Sequence, residues 1–298
     1  MDATNPSAAP TFASRTPLHI GAVGLAARDL DGLAAYYGGL LGLSELARDG
    51  DKVQLGAGGI RLLELTRKPD AKPDDPREAG LYHTAFLMPT RADLARWVLR
   101  IAAARTPVTG ASDHGVSEAI YLDDPEGNGI EVYADRPPET WHWRDGLVNM
   151  PTEPLDLENL VRAADGASAY DGAPAGLRVG HVHLRVGDLD AADRFYLGGI
   201  GLALTRRRGG AMFMSSERYH HHVAANVWHS QGAGRRDAAR AGLSWFSIEA
   251  NDEAALAGVA TRLRQTGAPL SDLPRGLETT DPWGTRIRVE LADRSERR

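Results

Sequence analysis

The sequence predicts an α+β fold built from four βαβββ units, and three observations predict it. The first is an internal repeat. Residues 22–43, AVGLAARDLDGLAAYYGGLLGL, run in register with residues 181–202, HVHLRVGDLDAADRFYLGGIGL, 159 positions later. The second is a shared local grammar. In each copy an alternating strand leads into Asp-Leu-Asp at a helix start, then an amphipathic helix, then Gly-x-x-Gly-Leu as the stop. The third is a pair of Asp-Pro-x-Gly turns, at Asp124 and at Asp281, each followed by a final strand.

Taken in order, the chain opens with a polar, proline-spotted stretch, expected to be a flexible tail over 1–16. The units cover roughly 17–68, 79–136, 178–231 and 241–293. In the first, strands at 52–55 and 59–65 follow the helix stop; in the third, strands at 211–215 and 221–228 do so. The second and fourth units carry helices at 92–104 and 253–265. A stretch rich in Pro, Asp, Ala and Gly, 137–177, reads as a linker with a short helix near 155–164. The domains are therefore expected at 17–136 and 178–293, two units in each.

Composition narrows the function. Apolar residues at 42% and charged residues at 25% are an ordinary globular balance. A net charge of -6, with no dense basic patch, argues against a nucleic-acid partner. No apolar run reaches the length of a membrane span, and the N-terminus lacks the pattern of a signal peptide, so a cytoplasmic location is expected. With no cysteine, any metal is held by nitrogen and oxygen.

Equivalent positions of the units point to such a metal. Glu131 sits between Ile130 and Val132 in a strand whose neighbours want burial, where a carboxylate needs a partner or a cation. On the first strands, the repeat aligns Ala22, His83, His181 and Trp245; on the last strands, it aligns Glu64, Glu131, Asn226 and Arg288. Two histidines and one carboxylate make a facial triad that leaves three coordination positions open. Only His83 and Glu131 from unit two, with His181 from unit three, complete that set. Units two and three must then face each other around the metal, with units one and four as a metal-free counterpart. Glu64 has no histidine partner and reads as a pocket or salt-bridge residue. His19, His142 and His229 read as satisfied, half-buried side chains.

Around the triad, His183 shares a strand face with His181, and His222 shares one with Asn226; His183 and Asn226 are candidate pocket residues. His222 is the favoured acid–base group of the run His220-His221-His222, with His221 as the alternative. Tyr121 and His114, upstream of Glu131, are suited to stabilising an oxygen-derived anion beside a metal.

The fourfold plan resembles the vicinal oxygen chelate superfamily from Leu18 to Leu291, which implies two eight-stranded half-open barrels with the metal between modules two and three. The run His114-x5-Ile120-Tyr121-x2-Asp124-Pro125-x-Gly127-x3-Glu131 is similar to the extradiol ring-cleavage dioxygenase signature, with Ser112 where Gly or Asn is usual. GLYHTAFLMP, GHVHLRV and YHHHVAANVW look most like the catechol 2,3-dioxygenase branch. The resemblance implies Fe(II), with Mn(II) as the alternative, on His83, His181 and Glu131. It also implies acid–base work at His222 and donors at His114 and Tyr121. The expected reaction joins a catechol and O2 in a homo-oligomeric enzyme. The rival readings are a metal-dependent isomerase or lyase and a non-catalytic binder of small aromatics.

Overall fold

The protein is described here from a computed structural model, which covers residues 11–164, 166 and 169–292. A short helix, α1 (Phe12–Arg15), precedes module one: β1 (Leu18–Ala27), α2 (Leu30–Leu41), β2 (Ser44–Asp49), β3 (Lys52–Ala57) and β4 (Ile60–Arg67). Module two is β5 (Gly80–Leu87), α3 (Arg91–Ala103), β6 (Gly110–Asp113), β7 (Ser117–Asp123) and β8 (Gly129–Asp135). The connection carries a small hairpin, β9 (Trp143–Arg144) and β10 (Leu147–Val148), and helix α4 (Leu157–Arg162). Module three is β11 (Arg178–Arg185), α5 (Leu189–Asp193), β12 (Ala203–Arg208), β13 (Ala211–Ser215) and β14 (Val223–Asn226). Here α5 widens into a π-helical segment, Arg194–Ile200. Module four is β15 (Gly242–Ala250), α6 (Glu253–Thr266), β16 (Leu270–Leu273), β17 (Gly276–Thr280) and β18 (Arg286–Leu291).

The helix boundaries follow from local chemistry. Asp29, Asp188 and Asp252 cap the helices of modules one, three and four, each accepting a hydrogen bond from a first-turn backbone N–H. Gly42 and Gly201 close the repeated helices at φ 71° and 91°, in the left-handed region that a side chain resists. The two Asp-Pro-x-Gly turns are held alike. Asp124 accepts backbone bonds from Glu126 and Asn128, and Asp281 from Trp283 and Thr285. Each buried turn aspartate also accepts from a tyrosine of the preceding module's helix, Tyr37 to Asp124 and Tyr196 to Asp281, both at 3.0 Å.

Strand pairing crosses the repeat. One eight-stranded mixed sheet runs β16-β17-β18-β15-β1-β4-β3-β2, from modules four and one. The other runs β12-β13-β14-β11-β5-β8-β7-β6, from modules three and two. Units two and three share a sheet, as the ligand pattern required. Each seam is antiparallel, β1 on β15 and β11 on β5. One extensive apolar core joins the helices to the outer faces of both sheets. A second cluster, including Tyr133, Trp141, Val148, Met150 and Tyr219, lies against the sheet of modules two and three.

Two segments are more ordered than their composition suggests. From residue 11 to 16 the chain is not a loose tail: α1 buries Ala13, and Thr16 is 1% exposed. Small residues dock there because Thr16 and the Ala13 carbonyl meet a buried imidazole. The first ten residues of the expected tail lie outside the described residues, as does residue 293. The connection between the halves is strapped down, with the Tyr170 hydroxyl donating to the Leu41 carbonyl at 2.7 Å.

Candidate metal centre and active site

The concave face of the β11–β5 sheet gathers the candidate residues. Across the seam His183 pairs with His83, and His181 with Ala85. Parallel pairing of β5 with β8 sets Ala85 beside Glu131, and β7 places Tyr121 opposite Glu131. Side chains two residues apart share a strand face, so this register brings His83, His181, Glu131 and Tyr121 together. The Nε2 atoms of His83 and His181 lie 3.0 and 3.1 Å from the same Glu131 oxygen, Oε2. All three residues are buried, at 6%, 1% and 3% exposure.

These residues fit a metal ion. Among the described residues, theirs is the group of three whose ligand atoms all lie within 4.8 Å of one another. His83 Nε2 is buried and makes no well-aligned hydrogen bond despite its short approach to Glu131. An orphaned imidazole nitrogen aimed at a carboxylate is costly without a cation. Burial pushes His181 down to about 4, which keeps its ring neutral and its lone pair available. Burial also opposes ionisation of Glu131, but His181 and His83 outweigh it and hold the carboxyl well below its ordinary value.

A cavity of about 620 Å³ opens beside this cluster, within the range of small-molecule sites. Tyr121, His114, His183 and His221 line it, with Ile130, Met150, Phe213 and Trp228 as apolar wall. His114 is seated by its loop. Asp113 accepts from the Gly115 N–H and from Arg136, and His114 Nδ1–H donates to the Pro151 carbonyl at 2.8 Å. His114 Nε2 is then the acceptor for the Tyr121 hydroxyl, 2.7 Å away. Burial and the neighbouring Glu131 push the Tyr121 phenol well up, so its proton stays on. His183 Nε2 lies 3.0 Å from the Asn226 side-chain amide.

Two expectations about module three need correction. His222 does not face the cavity. Its Nδ1 accepts from the Ser216 N–H at 3.2 Å, and its Nε2–H points to the Ala13 carbonyl at 3.1 Å. The cavity-lining imidazole is His221, whose ring centroid is 4.0 Å from that of His181. Strand alternation counted back from Asn226 selects His222, but β14 begins at Val223 and the chain bends at His222. Asn226, likewise, is not the counterpart of Glu131. The β11–β14 register sets Ala224 beside His183, as Glu131 stands beside Ala85, while Asn226 pairs with Arg185 two residues on. A fourth protein ligand is therefore absent from the equivalent position.

His222 carries a separate consequence. Burial pushes its imidazole down to about 3, while an unfolded histidine titrates near 6.5. Between those values the unfolded chain binds more protons, so stability falls as pH drops through this window, by up to about 1.4 kcal/mol per pH unit for one such group. His222→Asn is expected to flatten that slope in urea titrations between pH 6.5 and 4, while leaving turnover within about threefold. An unchanged slope contradicts the assignment.

The matching place in the other sheet is closed. Trp245 pairs with Gly24, where an added Cβ would lie 2.2 Å from the indole Nε1. The Arg288 guanidinium stacks 3.9 Å from the Trp245 ring, and Glu64 is held by Gln54 and Arg61. Bulk and paired charge fill this counterpart site.

Four βαβββ modules pair into two sheets, and one of these sheets carries a two-histidine, one-carboxylate cluster. The chain belongs to the Glyoxalase/Bleomycin resistance protein/Dioxygenase superfamily, whose sequence profile matches residues 19–132 and 178–289. It is 35% identical over 269 residues to catechol-2,3-dioxygenase of Bacillus subtilis (strain 168), covering 89% of this chain and 94% of that one. A 64-residue stretch is 39% identical to biphenyl-2,3-diol 1,2-dioxygenase 3 of Rhodococcus globerulus, covering 20% of this chain and 32% of that protein. The crystal structure of glyoxalase I from Zea mays is similar in fold, with a TM-score of 0.56, 16% identity and 94% of each chain covered. The homology supports a dioxygenase-type function within the superfamily. Among the described residues no helix is long and apolar enough to cross a membrane.

Proposed function

We propose that this protein cleaves a catechol ring with O2 in the extradiol manner, yielding a muconic semialdehyde-type product. The convergence of His83, His181 and Glu131 beside a cavity lined by His221, His114 and Tyr121 is the observation that carries this reading. Fe(II) held by the three ligands would supply the redox coupling between O2 and the ring that their spin states otherwise forbid. The remaining chemistry belongs to the protein. His221 is the acid–base group: it takes a proton from a catechol hydroxyl and returns one as the ring opens. Burial pushes its imidazole well down, so it starts neutral. On substrate binding the Tyr121 hydroxyl turns its one proton from His114 Nε2 to the substrate oxygen, which orients that oxygen and stabilises charge developing on it. Phe213, Trp228 and Met150 offer the ring an apolar wall. Both atoms of O2 end in the product, and the bond broken lies beside the hydroxyl-bearing carbons.

A set of three protein ligands, with Ala224 at the position equivalent to Glu131, supports this reading over a metal-dependent isomerase, whose metal would take a fourth protein ligand. The test is O2 uptake after anaerobic reconstitution with Fe(II), using a panel of substituted catechols. One O2 consumed per catechol, with a yellow ring-opened product, is the expected result. Binding without O2 uptake would identify a binding protein, and turnover without O2 an isomerase or lyase; either outcome refutes ring cleavage.

A further inference from the structure

From His221 runs a line of largely buried polar side chains that ring cleavage as derived above does not use. His221 Nδ1 lies 2.8 Å from His220 Nδ1, and His220 Nε2 lies 2.8 Å from Asp135 Oδ1. The His220 side chain is fully buried and that of Asp135 is 14% exposed. Tyr219 donates its hydroxyl to the same Asp135 oxygen at 3.3 Å, and the Tyr133 hydroxyl meets Tyr219 at 2.7 Å. Asp135 belongs to β8, as Glu131 does, on the same strand face four residues further along.

With both imidazoles neutral, one arrangement of protons satisfies this line. A carboxylate accepts, so His220 donates from Nε2–H to Asp135. A neutral His220 then carries its lone pair at Nδ1, and the short contact there is made by Nδ1–H of His221. The lone pair of His221 is left at Nε2. The alternative tautomers put two N–H groups, or two lone pairs, face to face at 2.8 Å in a buried site.

We propose that Asp135 and His220 are positioning residues, which hold His221 in the Nδ1–H tautomer so that Nε2 is the proton-accepting atom. When Nε2 takes a proton, the positive charge that forms is matched through His220 to the Asp135 carboxylate. No proton need leave the line for this to hold, and the same proton is available for return. The catalytic consequence rests on the ring-cleavage reading; the tautomer itself does not.

Two measurements test the proposal on the full chain. The first is a long-range ¹H–¹⁵N correlation spectrum of ¹⁵N-histidine-labelled protein loaded with Zn(II), with His221 assigned by its loss in His221→Gln. The wild type is expected to show His221 as Nδ1–H, and Asp135→Asn to shift it to Nε2–H or to a mixture. The second is turnover of the Fe(II) form. Asp135→Asn is expected to lower kcat by about tenfold or more with KM within about twofold, since the whole contribution of a positioned acid–base group is roughly 10²–10⁴. His220→Gln cuts the same line at its middle and stands in if Asp135→Asn fails to fold. An Nε2–H tautomer in the wild type overturns the proposal, as does an unchanged tautomer and kcat in the variants. Failure of the wild type to turn over any catechol would remove the ring-cleavage reading instead, and the spectrum would still decide the tautomer.

Discussion

Glu131→Ala is expected to reduce bound iron from about one equivalent per chain to below about 0.1, and to abolish turnover with it. Loss of a supporting group outside the ligand shell already costs roughly 10–100-fold in metal affinity, and loss of an anionic ligand costs more. Two neutral imidazoles would remain, with no charge to offset the cation. His83→Ala is expected to act in the same direction. Because Glu131 is 3% exposed, a second variant separates metal loss from misfolding. Glu131→Gln keeps the shape, removes the charge, and should bind metal at least tenfold more weakly while retaining its circular dichroism. Metal that binds only the folded state also stabilises it by mass action. Chelation should therefore lower the Tm of the wild type and leave that of Glu131→Ala unmoved. Metal analysis showing full occupancy in either alanine variant would sink the ligand assignment.

The second large effect separates two adjacent histidines. His221→Ala is expected to lower kcat by roughly 10²–10⁴ while iron content stays within about twofold of the wild type. The reason is positional: His221 lines the cavity and packs against His181, while His222 is tied to Ser216 and Ala13. His222→Asn should instead show its effect in acid stability, as argued above. Steady-state kinetics on both variants, with iron measured on the same samples, decides the matter. A His221→Ala enzyme within about threefold of wild-type kcat would end the acid–base assignment.

What could be read from the chain without coordinates follows a physical division. The repeat located the modules because its signals are local: aspartate caps, left-handed glycines, and turns closed by Asp-Pro-x-Gly. The pairing of modules two and three was legible because a facial ligand set needs His83, Glu131 and His181 in one place. Where module three lacks a D-P-x-G turn, that ruler fails. Counting alone set Asn226 two residues out of step and chose His222 over His221, since a bend before β14 breaks the alternation. The docking of α1 was hidden for another reason. Phe12–Arg15 is too short to carry a helical period, and what holds it is distant in sequence, the imidazole of His222. Asp135 carried a signal that went unread: with Glu131 and Tyr133 it forms one face of β8, and a charged residue there asks for a partner.

Exchange of modules between the halves also bears on how the protein is made. In each half a helix tyrosine of one module bonds the turn aspartate of the next, yet neither half owns a complete sheet. Ribosomal synthesis delivers His83 and Glu131 first, and 50 residues separate Glu131 from His181. Until β11 emerges and zips onto β5, the early ligands have no third partner. A metal held by these three side chains would be captured only once the first strand of the third module is made, and a product terminated before that strand would lack the cation's stabilisation.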